Sequence, residues 1–206
     1  MARTGLSRYS APMRKRFDEQ YYERFYRNRR TRAATPKSAQ RLAEFIAAYL
    51  RHLDVPVRRI LDIGCGLGHT LRQLSGQFPN ATAVGVEYSE YACQRYGFEQ
   101  GSVVDYQAQR PFDLVVCNDV VPYLDDANAA IALRNLATLT KTALFFGVIT
   151  SDDGEISDKV RTDSRQYLRS AGWYRRRLHR EFVSVGGGLY LKKSVGIPLW
   201  ALERHT

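Results

Sequence analysis

Leu61-Asp62-Ile63-Gly64-Cys65-Gly66-Leu67-Gly68 is the stretch that decides the fold of this 206-residue chain. Residues 59–63, among which Ile60, Leu61 and Ile63 are apolar, predict a short buried strand, and residues 69–77 predict a helix directly behind the loop. A strand, a glycine loop and a helix in this order are typical of a site for a nucleotide-like ligand, because glycines allow positive φ and let a ligand approach the backbone closely. Since glycines also serve tight turns, the loop alone does not settle the function.

The glycine spacing and a carboxylate on the next strand sharpen this interpretation. Gly64, Gly66 and Gly68 alternate with other residues, and His69 stands where a dinucleotide fingerprint has glycine or alanine. Glu87 ends the next predicted strand, about 20 residues further along the chain. This is the spacing at which an acidic residue accepts hydrogen bonds from ribose hydroxyls. A solvated carboxylate at a strand end is the plainer alternative for Glu87, but the loop before it favours the ribose role.

Predicted strands and helices alternate along most of the chain. Helical spacing of apolar residues predicts helices over residues 17–27, 38–53, 69–77, 89–96 and 126–138, and apolar runs predict strands over residues 59–63, 81–87, 112–117 and 143–150. Strands that alternate with helices form βαβ units. The predicted fold class is therefore α/β, with a doubly wound and mostly parallel sheet.

The C-terminal segment breaks this alternation. A short helix is predicted over residues 165–170, and residues 181–192 and 198–204 both have the character of strands. Only a few residues, among them Gly196, join these two runs, which is too short for a crossover between parallel strands. The pair predicts an antiparallel hairpin at the end of the parallel sheet.

Length and composition indicate a single globular domain. A chain of this length can bury a full core, and no apolar run approaches the roughly 20 residues of a membrane helix. We see no secretory signal behind the basic N-terminus. The cysteines Cys65, Cys93 and Cys117 are scattered, which argues against a disulfide framework or a metal site and suits a reducing compartment. We therefore expect a cytoplasmic protein with no metal and no membrane partner.

The formal net charge is +10, and much of it lies within residues 14–32 and 175–180. A basic face can attract nucleic acid or anionic substrates, although a solvated surface is the plainer interpretation. The chain has no signature of a known RNA-binding module. A nucleic-acid partner is thus an alternative that the sequence does not favour.

Four stretches of this sequence resemble the class I S-adenosylmethionine-dependent methyltransferases. Residues 61–68 match the first motif of that family, residues 84–89 are similar to its second and residues 112–120 to its fourth, and the terminal hairpin resembles its reversed strand. The four matches occur in the family's order and cover roughly residues 40 to 204. The resemblance implies a Rossmann-like sheet of seven strands with a C-terminal antiparallel hairpin. It also implies S-adenosylmethionine as cofactor and S-adenosylhomocysteine as product.

The resemblance also implies which residues hold the cofactor. Asp62 and the loop residues Gly64, Cys65, Gly66 and Gly68 would hold the methionine part, Glu87 the ribose, and Tyr88 would stack near the adenine, while Asn118 would face the cofactor from the fourth strand. Ser102 replaces the aspartate that the family often has before a short turn. Either the backbone of Val103 or the side chain of Asp105 would then make the contact to the adenine amino group.

The sulfonium already activates the methyl group, so the protein must mainly position the acceptor and sometimes remove a proton. The titratable candidates for a base are Asp119, Tyr123, His69, His179, Asp152 and Asp153. Asp119 and Tyr123 rank highest because they follow the fourth strand, where the acceptor would lie. Family members that methylate amide or exocyclic nitrogens often carry Asn/Asp-Pro-Pro-Tyr/Phe there. Residues 118–123 read Asn-Asp-Val-Val-Pro-Tyr, so we discount that activity.

An aromatic helix near the N-terminus adds to the family core. We expect a flexible tail over residues 1–12, a helical lid over residues 13–36 and the methyltransferase domain over residues 37–206. Tyr21 and Tyr22 of the lid would cover the site, and Trp173 could form the opposite wall. A helix packed on the back of the sheet or in a dimer interface is the alternative.

Three functions are compatible with these motifs. The favoured one is methyl transfer from S-adenosylmethionine to a small-molecule acceptor. The alternatives are an RNA or protein methyltransferase, and a protein that binds S-adenosylmethionine but has lost catalysis. The sequence leaves monomer and homodimer equally open.

Overall fold

The computed structural model describes residues 16–200 and contains one seven-stranded sheet. The strands are β1 (Arg59–Ile63), β2 (Thr82–Glu87), β3 (Glu99–Gln100), β4 (Phe112–Asn118), β5 (Thr140–Gly147), β6 (Phe182–Gly186) and β7 (Leu189–Lys192). Their order across the sheet is β3-β2-β1-β4-β5-β7-β6. Every neighbouring pair from β3 to β5 is parallel, and β7 runs antiparallel to both β5 and β6. The predicted α/β fold class is confirmed.

Helices cover both faces of this sheet. They are α1 (Glu19–Tyr22), which continues as a π-helical turn over Glu23–Arg27, α2 (Pro36–His52), α3 (His69–Gln77), α4 (Glu90–Tyr96), α5 (Asp126–Leu139) and α6 (Ala171–Leu178). Apolar residues of α2 and α3 form one core cluster with one face of the sheet, and those of α5 and α6 form another with the opposite face. No helix within residues 16–200 is long and apolar enough to cross a membrane.

The terminal hairpin lies earlier in the chain than the sequence predicted. Its two strands, β6 and β7, both fall inside residues 181–192, which were expected to form one strand. Gly187 and Gly188 make the turn with φ of 58° and 79°, a backbone conformation that glycine adopts without strain. Residues 198–200 form no strand, and residues 201–204 and the expected tail over residues 1–12 lie outside the described residues.

The short helix predicted over residues 165–170 is also wrong. Arg169 is buried there, and its guanidinium donates to Asp126 at 2.8 Å and to the carbonyl oxygen of Leu124. The helix begins one residue beyond the predicted stretch, where the Ser170 side chain accepts a hydrogen bond from the Trp173 N–H. Tertiary hydrogen bonds to an irregular loop thus override the local helical pattern.

Candidate active site

A cavity of about 360 Å³ lies at the carboxyl ends of β1, β2 and β4. Its walls are the glycine loop after β1, the ends of β2 and β4, and the N-terminal aromatic segment, here defined as Phe17–Arg27. The predicted site residues that line it are Tyr21, Tyr22, Asp62, Gly64, Cys65, Glu87, Tyr88, Ser102, Val103, Asn118, Asp119 and Tyr123. The structure therefore brings most of the predicted residues together around one cavity, at the switch point of the sheet.

Trp173 is not part of that lining. Its ring lies 5.1 Å from that of Tyr174 and under the guanidinium groups of Arg169 and Arg177, at the start of α6. The expectation that Trp173 forms the wall opposite the lid is wrong in this structure. Arg161 and Asp163, from the irregular loop before α6, line the cavity instead.

Glu87 ties the glycine loop to the end of β2. Its Oε2 accepts from the Gly66 N–H at 2.7 Å, and its Oε1 accepts from the N–H groups of Tyr88 and Ser89 at 2.7 and 2.9 Å. Burial raises the pKa of Glu87, and the three backbone donors oppose that rise. The carboxylate is thus a structural anchor of the loop as well as a lining residue.

Asp62 is the second buried carboxylate at this end of the cavity. Burial, and then the nearby charge of Glu87, raise the pKa of Asp62 to about 7. Its Oδ2 is buried and has no hydrogen-bond partner within residues 16–200. A buried acceptor without a donor costs on the order of 1–3 kcal/mol, so this oxygen is suited to a donor group of a ligand.

The glycine loop leaves no space for side chains at three of its positions. Gly64 has φ of 76°, and an added Cβ would overlap the Val120 side chain. Gly66 has φ of 57°, and an added Cβ would overlap the hydroxyl of Tyr26. At Gly68, with φ of 70°, an added Cβ would overlap the ring of Phe98. Gly66 and Gly68 do not line the cavity, but their conformation fixes the course of the loop that does.

The N-terminal aromatic segment docks on α4 beside the glycine loop. The guanidinium of Arg27 donates to the hydroxyls of Tyr91 at 3.0 Å and Tyr96 at 3.2 Å. The rings of Tyr22 and Tyr91 stack with centroids 5.8 Å apart, and Tyr91 donates to Glu19 at 3.2 Å. These contacts hold the segment over the cavity rather than on the back of the sheet.

The cavity lining also carries a second group of polar side chains, from the segment after β4. Asp119 directly follows β4, and its Oδ1 accepts from the Gln166 side-chain amide at 3.0 Å. Burial raises the pKa of Asp119 to about 6. The hydroxyls of Tyr123 and Tyr21 lie 3.0 Å apart, and burial raises the pKa of Tyr123 to about 12. Asp163 also lines the cavity, held by Arg165 at 3.1 Å and Arg16 at 3.4 Å.

The remaining candidate bases have other surroundings. His69 lines the cavity beside the glycine loop, where burial and then the charge of Arg72 lower its pKa. Asp152 and Asp153 accept hydrogen bonds from the Ala171 N–H and from Thr150, and neither lines the cavity. His179 follows α6, away from the lining.

The region of Ser102 also differs in part from the expected contacts. Ser102 and Val103 line the cavity, whereas Asp105 is exposed and does not. The Ser102 hydroxyl accepts from the Val104 N–H at 3.2 Å and so shapes the turn that follows β3. Of the two alternatives for the missing aspartate, Val103 is the one that the structure brings to the cavity.

Sequence reasoning missed several lining residues. Phe17, Phe25 and Tyr26 belong to the aromatic stripe whose helical spacing the sequence shows, and that stripe was the signal that could have assigned them to the site. Arg161 and Asp163 gave no such signal, because an irregular loop brings them in.

The family of this chain follows from comparison with known proteins. Residues 18–186 match a family model described as a methyltransferase domain. The chain belongs to this family, the class I S-adenosylmethionine-dependent methyltransferases. Its cofactor class is S-adenosylmethionine, and its sheet order with a reversed β7 is that of the family's solved structures.

The individual curated relatives align with only part of this chain. A trans-aconitate 2-methyltransferase from Deinococcus radiodurans is 32% identical over 34% of this chain and 30% of its own. A malonyl-[acyl-carrier protein] O-methyltransferase from Halalkalibacterium halodurans is 29% identical over 47% of this chain and 41% of its own. The chain thus spans less than half the length of these two curated relatives.

A magnesium protoporphyrin IX methyltransferase from Synechocystis, solved with bound S-adenosylhomocysteine, superimposes with a TM-score of 0.60. The match covers 88% of this chain and 95% of that one, at 18% identity. At this identity the likeness shows the fold alone.

A pair of glycine substitutions tests how tightly the loop is packed. Gly66→Ala should lower the free energy of unfolding by about 1–2 kcal/mol or more, because a left-handed φ strains alanine and the new Cβ meets the Tyr26 hydroxyl. Gly76→Ala is the control, since Gly76 lies inside α3 with nothing within 4 Å of an added Cβ. It should raise the free energy of unfolding by about 0.4–1 kcal/mol. Urea titration measures both, and equal effects would contradict the packing.

Proposed function

We propose that this chain transfers a methyl group from S-adenosylmethionine to a small-molecule acceptor. The observation that supports this most is the cavity itself, whose lining brings the unpartnered Asp62 carboxylate oxygen together with Asp119 and Tyr123. A cofactor and an acceptor could lie side by side in it. A volume of about 360 Å³ falls within the range of small-molecule sites.

The residues at the glycine-loop end fit this cofactor. Asp62 Oδ2 would accept from the ammonium of the methionine part, which supplies the donor that this oxygen lacks. Glu87 would accept from the ribose, most directly through Oε2, which takes one backbone donor where Oε1 takes two. Ser102, Val103, Tyr88 and Asn118 would surround the rest. When bound, S-adenosylmethionine supplies a methyl group that its sulfonium already activates.

We also propose that the N-terminal aromatic segment is a lid. Phe17, Tyr21, Tyr22, Phe25 and Tyr26 all line the cavity, so their rings shield it from water. The hydrogen bonds of Arg27 and the stack of Tyr22 on Tyr91 hold the lid on α4. The lid would exclude water from the activated methyl group and complete the acceptor end through the Tyr21 hydroxyl.

The charge of the cavity lining is the observation that favours a small acceptor over RNA. The exposed arginines of the two basic stretches, Arg24, Arg29, Arg30, Arg175 and Arg176, do not line the cavity. Most of the charged side chains that line the cavity are carboxylates, which would repel the phosphate backbone of a nucleic acid. The names of the two curated relatives also describe small acceptors or a small acyl group on a carrier.

Calorimetric titration with S-adenosylhomocysteine, S-adenosylmethionine and NAD tests the proposed function. Both sulfur ligands should bind and NAD should not. Glu87→Ala should weaken binding by about 1.5–3 kcal/mol, the range for hydrogen bonds to a charged group. Glu90→Ala is the control, because Glu90 is exposed on α4 and lies outside the lining. Tight NAD binding with no response to either sulfur ligand would overturn the proposal.

Transfer of a labelled methyl group to an acceptor in a cell extract would exclude the alternative that the protein binds S-adenosylmethionine but has lost catalysis.

Loosening the lid should weaken cofactor retention without unfolding the domain. Arg27→Met removes the two hydrogen bonds to α4, so the Kd for S-adenosylhomocysteine should rise about five- to tenfold, equivalent to about 1–1.4 kcal/mol. Most of that change should appear in the dissociation rate, measured by stopped flow. Arg134→Met, at an exposed arginine on α5, should leave both values unchanged. An unchanged dissociation rate for Arg27→Met, with normal thermal stability, would show that the segment is not a lid.

A further inference from the structure

We propose that the methyl acceptor is a small amine whose nitrogen lies against Asp119. This rests on the proposed function and names its substrate class. In this assignment Asp119 accepts the proton that an ammonium nitrogen must lose before its lone pair can take the methyl group. The nitrogen lone pair would form the new bond to the methyl carbon while the bond from that carbon to the cofactor's sulfur breaks. The electron pair of the broken bond would stay on the sulfur of the leaving S-adenosylhomocysteine, and the proton lost by nitrogen would move to the Asp119 carboxylate, so charge and atoms balance.

The backbone directs Asp119 into the cavity at a conformational cost. Its φ is 56°, a left-handed value that only one other described non-glycine residue, Asp54, shares. The Asp119 N–H donates to the Gly147 carbonyl oxygen at 2.7 Å, which fixes this conformation at the end of β4. Such values are sparsely populated, although aspartate tolerates them better than most residues. In this backbone conformation the Asp119 carboxylate belongs to the lining of the cavity.

No cation within residues 16–200 forms an ion pair with Asp119, whose charge therefore lacks compensation. Its partner is the neutral amide of Gln166. The nearby arginines have other partners: Arg16 and Arg165 pair with Asp163, and Arg161 pairs with Asp158. A carboxylate acceptor placed against Asp119 would bring two anions together in a buried site. A cationic acceptor would supply the missing charge.

A buried oxygen beside Asp119 also lacks a hydrogen-bond donor in the part of the chain that the structure describes. Gln166 gives its amide N–H to Asp119, and its Oε1 is buried without a partner among the described residues. A nitrogen with two or more N–H bonds can donate to more than one such oxygen, whereas a hydroxyl has a single proton to donate. Phe17, Tyr21 and Tyr123 pack edge to face in the lining of the cavity, and aromatic walls suit the apolar body of a small amine and its cationic head.

Binding of two small aromatic probes of opposite charge to the protein saturated with S-adenosylhomocysteine tests this assignment. Benzylamine should bind at least about tenfold more tightly than benzoate at pH 7.5, measured by ligand-observed NMR titration. The formal net charge of +10 would by itself favour benzoate, so a preference for the amine must come from the site. Asp119→Asn should abolish the preference, since asparagine keeps the shape and tolerates the left-handed φ but loses the charge.

Asp54→Asn is the matched control, because Asp54 is exposed, has φ of 52° and lies outside the lining. It should keep the preference. Benzoate binding as tightly as benzylamine, no binding of benzylamine at all, or a preference that survives Asp119→Asn would each overturn the assignment while the cofactor proposal stands. Failure of S-adenosylhomocysteine to bind would overturn both.

Discussion

Two carboxylates buried side by side at the ends of neighbouring parallel strands are the constraint on which the site depends. The register pairs Ile63 with Val86, so Asp62 and Glu87 come from adjacent strands at the same edge of the sheet. Desolvation disfavours both charges, and each carboxylate needs donors. Glu87 takes its donors from Gly66, Tyr88 and Ser89, which ties the glycine loop to β2. Asp62 keeps one oxygen without a donor, and in our account the ligand supplies it.

The charge inside the cavity contrasts with the charge of the whole chain. Among the described residues, the carboxylates of Asp62, Glu87, Asp119 and Asp163 line the cavity, with Arg161 as the lone arginine or lysine. The formal net charge of the chain is nevertheless +10, and the exposed arginines of the two basic stretches lie outside the lining. A basic exterior therefore says little about the acceptor. An interior of carboxylates and aromatic rings selects cations, such as the sulfonium and ammonium of the cofactor and, as we propose, an amine.

The sequence predicts those parts of the molecule that depend on local patterns. The strand and helix on either side of the glycine loop, at residues 59–63 and 69–77, have the predicted bounds, because burial on both sides of a parallel strand leaves a continuous apolar run. The hairpin was misplaced because residues 181–192 have strand character throughout, and only the left-handed turn at Gly187 and Gly188 divides them. Residues 165–170 carry a helical pattern that the hydrogen bonds of the buried Arg169 guanidinium to Asp126 and Leu124 override.

The acceptor end could be predicted only in part, for a physical reason. Asp119 and Tyr123 were found because they follow a recognisable strand. Asp163 and Arg161 come from an irregular loop whose course depends on hydrogen bonds between residues far apart in the chain, such as the one from Tyr167 to Pro122 at 2.7 Å. The aromatic stripe predicted that one face of the N-terminal helix is buried. No local pattern indicated that this face packs against α4.

The pH dependence of cofactor affinity tests the central claim most directly, namely that Asp62 meets the ligand's ammonium. The pKa of Asp62 is raised to about 7 in the free protein, and binding favours its ionised form. The affinity for S-adenosylhomocysteine should therefore rise by up to about tenfold per pH unit as the pH increases from 5.5 toward 7, and level off above it. Calorimetry should also detect proton release at the acid end. Asp62→Asn should bind weakly with a much flatter pH profile. A wild-type affinity that stays constant from pH 5.5 to 8 would contradict the account.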